Sequence, residues 1–419
     1  SVSVQHSPAE FHSAMQPPPP YSTHSALQGF PWSFMLTKIL TYDKIITANQ
    51  SGGATMSKKV LVGMSGGVDS TLSVHILKEQ GFDIAGVNCL FCPDKNTLLD
   101  VSDAENAAKK MDVPFQVFDL RKEFTHNVIG NFISTYECGG TPNPCIVCNK
   151  HLKFGAMLDK ALELGYDFIA TGHYARVFFD ESTGRYLLKK GLDEKKDQSY
   201  FLYTLTQHQL SHTIFPLGDM TKDAVKQKAI DLDLINAKKR ESQDICFIPD
   251  GDYAAYIEKS LDKIYPKGNF IDTGGRVLGE HQGIIHYTVG QRKGLGIALG
   301  KPAFVKAINP EDNTVTLCSN EELFSRELTA KNINLISTDK ITEPLRVKAK
   351  VRYRHEAQWA TVTQLDEDTI KVVFDEPQRA ITPGQSAVIY DCDVVIGGGK
   401  SQAVVLYDGD TVVGGGEIQ

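Results

Sequence analysis

The sequence predicts an α/β protein: an N-terminal parallel sheet with crossover helices, a small mixed central region, and a C-terminal β-barrel. Two observations carry this expectation. Between residue 57 and about residue 205, short apolar strands alternate with helical stretches, as in a parallel sheet. Past about Asn269, glycines are frequent and short β-rich runs follow one another, as in small barrel domains.

Taken in order, Lys59–Gly63 (KVLVG) reads as a nearly unbroken apolar strand, the signature of a strand covered on both faces. Val68–Gln80 reads as a helix, Ile84–Cys89 as a strand, Asp103–Met111 as a helix and Val113–Phe118 as a strand. Lys150–Leu164 places Phe154, Met157, Leu158, Ala161 and Leu162 on one stripe and predicts a helix. Phe168–Thr171 is the next strand and ends in TGHY. Residues 206–268 look helical and mixed. Six β-runs then follow: Ala303–Ile308, Thr314–Leu317, Arg346–Tyr353, Ala360–Leu365, Ile370–Phe374 and Ser386–Tyr390. QSAVIYDCDVVIGGG at Gln385–Gly399 is echoed by QAVVLYDGDTVVGGG at Gln402–Gly416, so either copy could supply terminal strands. The expected domains are an extension over 1–55, a nucleotide-binding domain over 56–205 with a loop at 138–152, and a helical continuation over 206–268. A central β-rich domain over 269–335 and a barrel over 336–419, with the repeat at 385–416, complete the chain.

Composition narrows the class. The chain has 419 residues, enough for two or three domains, with 41% hydrophobic and 23% charged residues. No run of 18 apolar residues occurs, so no membrane partner is expected. A net charge of -7 excludes a wholly basic surface but not a local basic patch. Eight cysteines fall short of a disulfide scaffold and point to a reducing compartment, the cytoplasm. Residues 1–55 contain Pro17–Pro20 and no arginine, and read as a disordered tail or as sequence ahead of a start at Met56.

GMSGGVDS joins the first strand to the first helix. Gly63, Gly66 and Gly67 allow a phosphate close to the backbone, and the helix offers unpaired N–H groups beside Met64 and Val68. Ser65 and Ser70 add hydroxyls, and Asp69 is a candidate Mg²⁺ ligand. The loop is neither a dinucleotide fingerprint nor a Walker A motif. The plainer alternative is a glycine turn with a Ser/Asp helix cap.

In Arg346–Arg354, period 2 puts Arg346, Lys348, Lys350, Arg352 and Arg354 on one face, where an RNA backbone would relieve their repulsion. A solvated barrel face is the alternative. Lys238, Lys239 and Arg240 either draw in RNA or complement a helix C-terminus. Cys145 and Cys148 form a C-x-x-C pair, and Cys89 and Cys92 form a second, so a four-cysteine zinc site is formally possible. Cys246 lies between Ile245 and Phe247, as a core cysteine would, but follows the polar run Arg240–Asp244.

SGGVDS resembles the signature of the ATP pyrophosphatase (PP-loop) superfamily. TPNPCIVCNKHLKF (141–154), ATGHYAR (170–176), KKDQSYFL (195–202), SQDICFI (242–248), HYTVGQRKGLGI (286–297), VRYRH (351–355) and TPGQSAV (382–388) extend the likeness. Together they resemble the tRNA-specific 2-thiouridylase family over residues 57–399. The resemblance implies an ATP- and Mg²⁺-dependent enzyme that adenylates the wobble uridine of tRNA and replaces its C2 oxygen with sulfur, releasing pyrophosphate and AMP. It implies Cys148 as the catalytic cysteine and Cys246 as the persulfide carrier, joined by a transient disulfide. Gly63–Ser70, Cys89 and Gly172 would hold ATP. Asn143, Pro144 and Cys145 would meet the target base. His173, Lys196, Asp197, Gln198, Arg352, Tyr353 and Gln385 would lie along the RNA. Partners would be tRNAs accepting Lys, Glu and Gln and a persulfide-donating relay protein.

Two positions depart from the family pattern. Cys145 stands where an aspartate is usual, and Cys89 where methionine is usual. The third cysteine makes an iron–sulfur cluster on Cys145, Cys148 and Cys246 the rival mechanism. A non-enzymatic tRNA-binding protein and an amide-forming synthetase are the other readings.

Overall fold

A computed structural model describes residues 39–40, 57–93, 97–234, 245–401, 407–408 and 411–412. The first sheet is built from β1 (Lys59–Gly63), β2 (Asp83–Leu90), β3 (Phe115–Asp119), β4 (Phe168–Ala170) and β7 (Thr213–Ile214). Its order is β3-β2-β1-β4-β7, and every pairing is parallel. Val60, Leu61 and Val62 of the central strand are fully buried, as a strand covered on both faces requires. Each contributes about 1.5–3 kcal/mol by leaving water. Helix α1 (Val68–Glu79) follows β1 and α2 (Thr97–Lys110) follows β2. The chain order reverses between β1 and β4, so a crevice opens where their carboxyl ends diverge.

Two helical runs carry π-turns. Residues 121–137 form α3, with a π segment at Thr125–Ile129. Residues 144–163 form α4, which begins with Pro144 at its first turn and widens to a π-helix over Asn149–Ala156. The helix expected at Lys150 therefore starts six residues earlier and includes both cysteines of the C-x-x-C pair. Proline presets the φ of a first helical turn and lacks only an N–H that has no partner there, which explains the earlier start.

The hairpin β5 (Ala175–Asp180) and β6 (Arg185–Lys190) leaves the first domain. Of residues 1–55, only Ile39–Leu40 is described; it pairs with Asp180 and Phe179 of β5. Helices α5 (Lys222–Asp231) and α6 (Tyr253–Leu261) flank the 245–250 turn. The central sheet comprises β8 (Gly268–Ile271), β9 (Val277–His281), β10 (Phe304–Asn309) and β11 (Thr314–Cys318), in the order β9-β8-β11-β10.

The barrel has six strands: β12 (Phe324–Leu335), β13 (Leu345–Lys350), β14 (Gln358–Gln364), β15 (Thr369–Arg379), β16 (Ser386–Asp391) and β17 (Val394–Ser401). They pair β12-β15-β14-β13-β16-β17, and β17 returns to β12, which closes the sheet and removes its edges. The barrel thus begins at Phe324, before the expected boundary at 336, because β12 pairs with β15 and β17 rather than with the central sheet. Alternate residues Val347, Ala349, Ala360, Val362, Ile370 and Val372 fill the interior. Val394 of β17 pairs with Lys189 of β6, which ties the barrel to the hairpin.

The first copy of the C-terminal repeat is itself the hairpin β16–β17 that closes the barrel. In the second copy, Tyr407 faces Val412 and Asp408 faces Thr411. This is the register of Tyr390 with Val395 and Asp391 with Val394 in the first. The rest of the second copy lies outside the described residues.

The expected basic strand Arg346–Arg354 is corrected. Regular pairing ends at Lys350, and residues 351–355 form a turn in which the His355 N–H donates to the Arg352 carbonyl at 3.1 Å. Arg352 has no place on the outer face. Its guanidinium donates inward to the carbonyls of Val289 (3.0 Å) and Ala380 (3.1 Å) and to Thr382 Oγ1.

Candidate active site

The loop after β1 is held by hydrogen bonds to β2 and within itself. Met64 donates its N–H to the Val87 carbonyl at 2.7 Å, and Asn88 Nδ2 donates to the Met64 carbonyl at 2.8 Å. The Ser65 N–H donates to Ser70 Oγ at 3.2 Å. Gly66 takes φ +73°, a conformation glycine adopts without strain. Gly67 caps α1 without a side-chain hydrogen bond, leaving the first-turn N–H groups for an anion. Gly63 ends β1, and Val68 is buried at the start of the helix. Gly172, beyond β4, packs against the same turn; a Cβ there would lie 3.0 Å from the Asp69 and Ser70 backbone. Any larger residue would push the two loops apart.

Asp69 is not an open carboxylate. Lys222 Nζ lies 2.7 Å from both of its oxygens, and the Tyr174 hydroxyl donates to Oδ1 at 2.9 Å. Lys222 is 4% exposed and Tyr174 3%. The fit to a metal-bound phosphate is therefore conditional: a cation could take Asp69 only as Lys222 lets go, and Lys222 would then meet the phosphates itself.

His173 borders the crevice. Its Nδ1 is 2.7 Å from Thr171 Oγ1, and its ring packs against Phe154 (5.7 Å) and Phe215 (5.9 Å). Burial, and next the nearby Lys153 ammonium, push its pKa well down, so it is neutral. Phe154 belongs to the π segment of α4, so the crevice and the cysteine-bearing helix adjoin.

The thiols at that helix differ sharply. Cys148 is 9% exposed, and burial pushes its pKa up to about 12, with Lys153 opposing and Cys246 and Cys145 adding to the rise. Cys145 keeps an exposed surface, yet packing around its sulfur still raises its pKa, again opposed by Lys153. Cys246 goes the other way, to about 7. A hydrogen bond from the Cys92 thiol leads, followed, against the cost of burial, by Lys153 and by the N–H groups of Cys246 and Phe247. Cys89, at the end of β2, is pushed up to about 12 by burial and then by the neighbouring Cys148. The structure thus brings Cys89, Cys145, Cys148 and Cys246 within the field of Lys153, with Lys160 also acting on Cys89. Among the described residues, which include all eight cysteines, none is in a disulfide. No group of three or more His, Cys, Asp or Glu among them is arranged to hold a metal ion.

Lys153 owes its place to the π-helix. In an α-helix the residue five beyond Cys148 would turn well away from it. The wider i→i+5 turn over Asn149–Ala156 brings position 153 back over the thiols.

The barrel supplies the loop's other support. Gln385 Nε2 donates to the carbonyls of Thr141 (3.0 Å) and Pro142 (3.2 Å), and the Thr141 N–H donates to the Pro383 carbonyl at 2.8 Å. Asn149 Nδ2 donates to the Phe201 carbonyl at 3.1 Å. Asn143 and Pro144 stand between these anchors at the helix entry.

Several residues expected along RNA serve the fold. Asp197, 7% exposed, accepts from the N–H groups of Gly191 (3.0 Å) and Ser199 (3.1 Å). Gln198 Oε1 accepts from the Tyr174 N–H at 3.0 Å. Tyr353 packs at 4.3 Å against Phe201. Lys196, just before Asp197, is half-buried. Arg240–Asp244 and Lys238–Lys239 lie outside the described residues.

Lys222, Tyr174, Asn88 and Lys153 carry no site signal in the sequence, and Cys92 carries only that of a possible zinc ligand. Lys153 stands inside the CNKHLKF motif, but α-helical periodicity turns it away. Lys222 shows only as the residue after a Thr helix cap.

A phosphate-ready loop at the switch point of a parallel sheet, beside a helix bearing a buried thiol and a distant activated one, defines a nucleotide-dependent enzyme of thiol chemistry. Family models agree in order along the chain. A tRNA methyl transferase HUP domain matches residues 58–250, a tRNA methyl transferase PRC-barrel domain residues 254–319, and an aminomethyltransferase beta-barrel domain residues 325–401. The chain is 52% identical over 353 residues to the tRNA-specific 2-thiouridylase MnmA of Clostridioides difficile, covering 82% of this chain and 98% of that protein. It is 50% identical over 353 residues to the MnmA of Acetivibrio thermocellus, with the same coverage. This chain belongs to the tRNA-specific 2-thiouridylase family.

Proposed function

We propose that this protein carries out its family's reaction through Cys246 as sulfur carrier and Cys148 as resolving thiol. ATP, as its Mg²⁺ complex, adenylates the C2 oxygen of the wobble uridine of a tRNA, and pyrophosphate leaves. Sulfur bound to Cys246 attacks C2 and AMP departs, leaving a Cys246–S–S–C2 link. The Cys148 sulfur then attacks Cys246 Sγ and breaks its bond to the outer sulfur. That sulfur stays on the RNA as the 2-thio group, Cys148 gives up its proton, and a Cys148–Cys246 disulfide remains for reduction by external thiols.

The observation that carries this reading is the split in thiol acidity. Cys246, at about 7, is substantially thiolate near neutral pH and can take sulfane sulfur from a donor. Cys148, at about 12, stays protonated and so does not compete for it. The loop Gly63–Ser70 with Gly172 is the ATP site, and Asn143–Cys145 faces the base. Cys145, with a raised pKa, is not a base in the manner of the family's aspartate. Because RNA substrates of this class are modified where thiols stay reduced, the cytoplasm suits the reaction. The donor is a persulfide-bearing relay protein, and the acceptors are tRNAs for Lys, Glu and Gln.

The test is thionucleoside analysis of tRNA incubated with the protein, MgATP and a persulfide source. Wild type yields 2-thiouridine. Cys246→Ser yields adenylated tRNA without thiolation, and full thiolation by that variant defeats the assignment.

A further inference from the structure

Phe304 opens β10 at the edge of the central sheet, and its buried ring carries two guanidiniums. Arg379, the last residue of β15, lies 5.1 Å from the ring centre, and Arg292, in the loop before β10, lies 5.9 Å from it. One comes from the barrel and the other from the central region, so the ring marks the seam between them. Gly290 brings the Arg292 loop against the barrel. Its φ is +87°, and a Cβ there would lie 3.6 Å from Arg379 Nη1 and 4.0 Å from Arg352 Nη2. Arg352 is engaged by the fold, since its Nη2 already serves Val289, Ala380 and Thr382. Arg379 gives only its Nε, to Asn320 Oδ1 at 3.0 Å, and the Arg292 guanidinium makes no hydrogen bond among the described residues.

From this arrangement we propose that Arg292 and Arg379, held on Phe304, form a binding site for the sugar–phosphate backbone of the tRNA at the seam of the central domain and the barrel. The proposal rests on the reading of tRNA as substrate.

Guanidiniums gathered at one seam repel each other, and no carboxylate among the described residues forms an ion pair with Arg292, Arg352 or Arg379. By contrast, Arg346 is paired with Asp375 and Arg276 with Asp272. Glu322, close in sequence to Asn320, accepts the Ser319 N–H at 2.9 Å instead. The positive field reaches His355, whose pKa is pushed down by burial first and then by Arg352, Arg379 and Lys350. Arg292 also borders, with Lys301, a cleft of about 440 Å³ in the glycine-rich loop 294–303. A guanidinium laid against an aromatic ring keeps its N–H edge free, and that edge matches two oxygens of a phosphate. The seam is also tied to the catalytic loop. Thr382, which accepts from Arg352, stands three residues before Gln385, which holds Thr141 and Pro142. RNA that presents its base at that loop thus has an unpaired cationic surface on which its backbone can continue. Contacts of this kind add affinity and orientation without reading sequence.

The experiment is tRNA binding by the full chain, read by filter retention over a range of salt concentrations, well below the melting temperature of each variant. Arg292→Gln and Arg379→Gln should each weaken binding about three- to tenfold and lower the slope of log K against log salt by about 0.7–0.9, and the double variant by about twice that. Arg379→Lys keeps a charge and should keep the slope. Lys267→Gln, toward the opposite edge of the central sheet and paired with Glu280, removes the same charge and should leave the slope unchanged. A wild-type slope in the double variant overturns the proposal, whether or not its thermal melt has fallen, because the arginines then only brace the seam. An equal drop in Lys267→Gln overturns it as well, since net charge alone then explains the loss. If the double variant binds tRNA normally but takes up sulfur poorly from a protein donor, the seam belongs to that donor and the proposal fails. Cys246→Ser should bind with the wild-type slope, so the sulfur-carrier assignment is judged separately. Failure of wild type to retain tRNA defeats the reading of tRNA as substrate and this site with it.

Discussion

Lys222 Nζ sits 2.7 Å from both carboxylate oxygens of Asp69, although 153 residues separate them in the chain. The lysine is buried, and the aspartate belongs to the loop that would meet the phosphates. A buried ammonium without its partner is expensive, whereas a half-exposed carboxylate can turn to water. Asp69→Asn should therefore cost more stability than Lys222→Met, about 2–4 kcal/mol against about 1–2 kcal/mol. Urea denaturation midpoints check the order. Both variants should lose adenylation, measured as AMP and pyrophosphate release.

Lys153 is the cation that acts on Cys145, Cys148, Cys246 and His173 among the described residues. Its removal raises every one of these thiol pKa values, because a positive neighbour favours the thiolate. Lys153→Gln should slow Cys246 alkylation at pH 7 by about two- to fivefold and Lys153→Arg should largely preserve it. Peptide mass spectrometry after a short pulse of iodoacetamide checks both.

The order of alkylation follows from the same charges. Cys246 is held down to about 7 and Cys148 pushed up to about 12. A lowered pKa means that the reactive thiolate is present above pH 7 and disappears as the pH falls through it. Cys246 labelling should rise through pH 7 and level off above about 8, while Cys148 remains unlabelled until the chain unfolds.

Gln385→Ala removes two hydrogen bonds from the carbonyls of Thr141 and Pro142. The fold should survive with a loss of about 1–2 kcal/mol. Sulfur transfer should fall about tenfold or more while ATP binding holds, since the loop moves and the nucleotide crevice does not. Gly384→Ala is more severe. Its φ is +83°, and a Cβ would lie 2.7 Å from Thr135 Cγ2 and 2.9 Å from the Thr141 carbonyl oxygen. A thermal melt should place it well below Gln385→Ala.

Much of this fold is legible in the chain because its signals are local. KVLVG names a central strand by its nearly unbroken apolar run, and the β-rich runs between Arg346 and Tyr390 mark four of the six barrel strands. The places where reading fails involve partners distant in sequence. Strand β12 looks central until β15 and β17 claim it. Arg346–Arg354 alternates like one strand, but the carbonyls of Val289 and Ala380 draw Arg352 inward and end it. At the site, Cys148 and Cys246 follow from motif resemblance. Lys153 does not, because no periodicity announces a π-turn. Lys222 does not, because a buried ion pair leaves no pattern in either partner's neighbourhood.

The clamp from Gln385 to Thr141 and Pro142 gives the barrel a stake in the chemistry. The loop that leads into the Cys148 helix is held by a residue 243 or more positions further along the chain. During synthesis, then, the nucleotide domain emerges complete in sequence but unfinished in geometry. A chain cut before Pro383 should therefore carry every cysteine of the site and yet lack the three hydrogen bonds that set its entry loop.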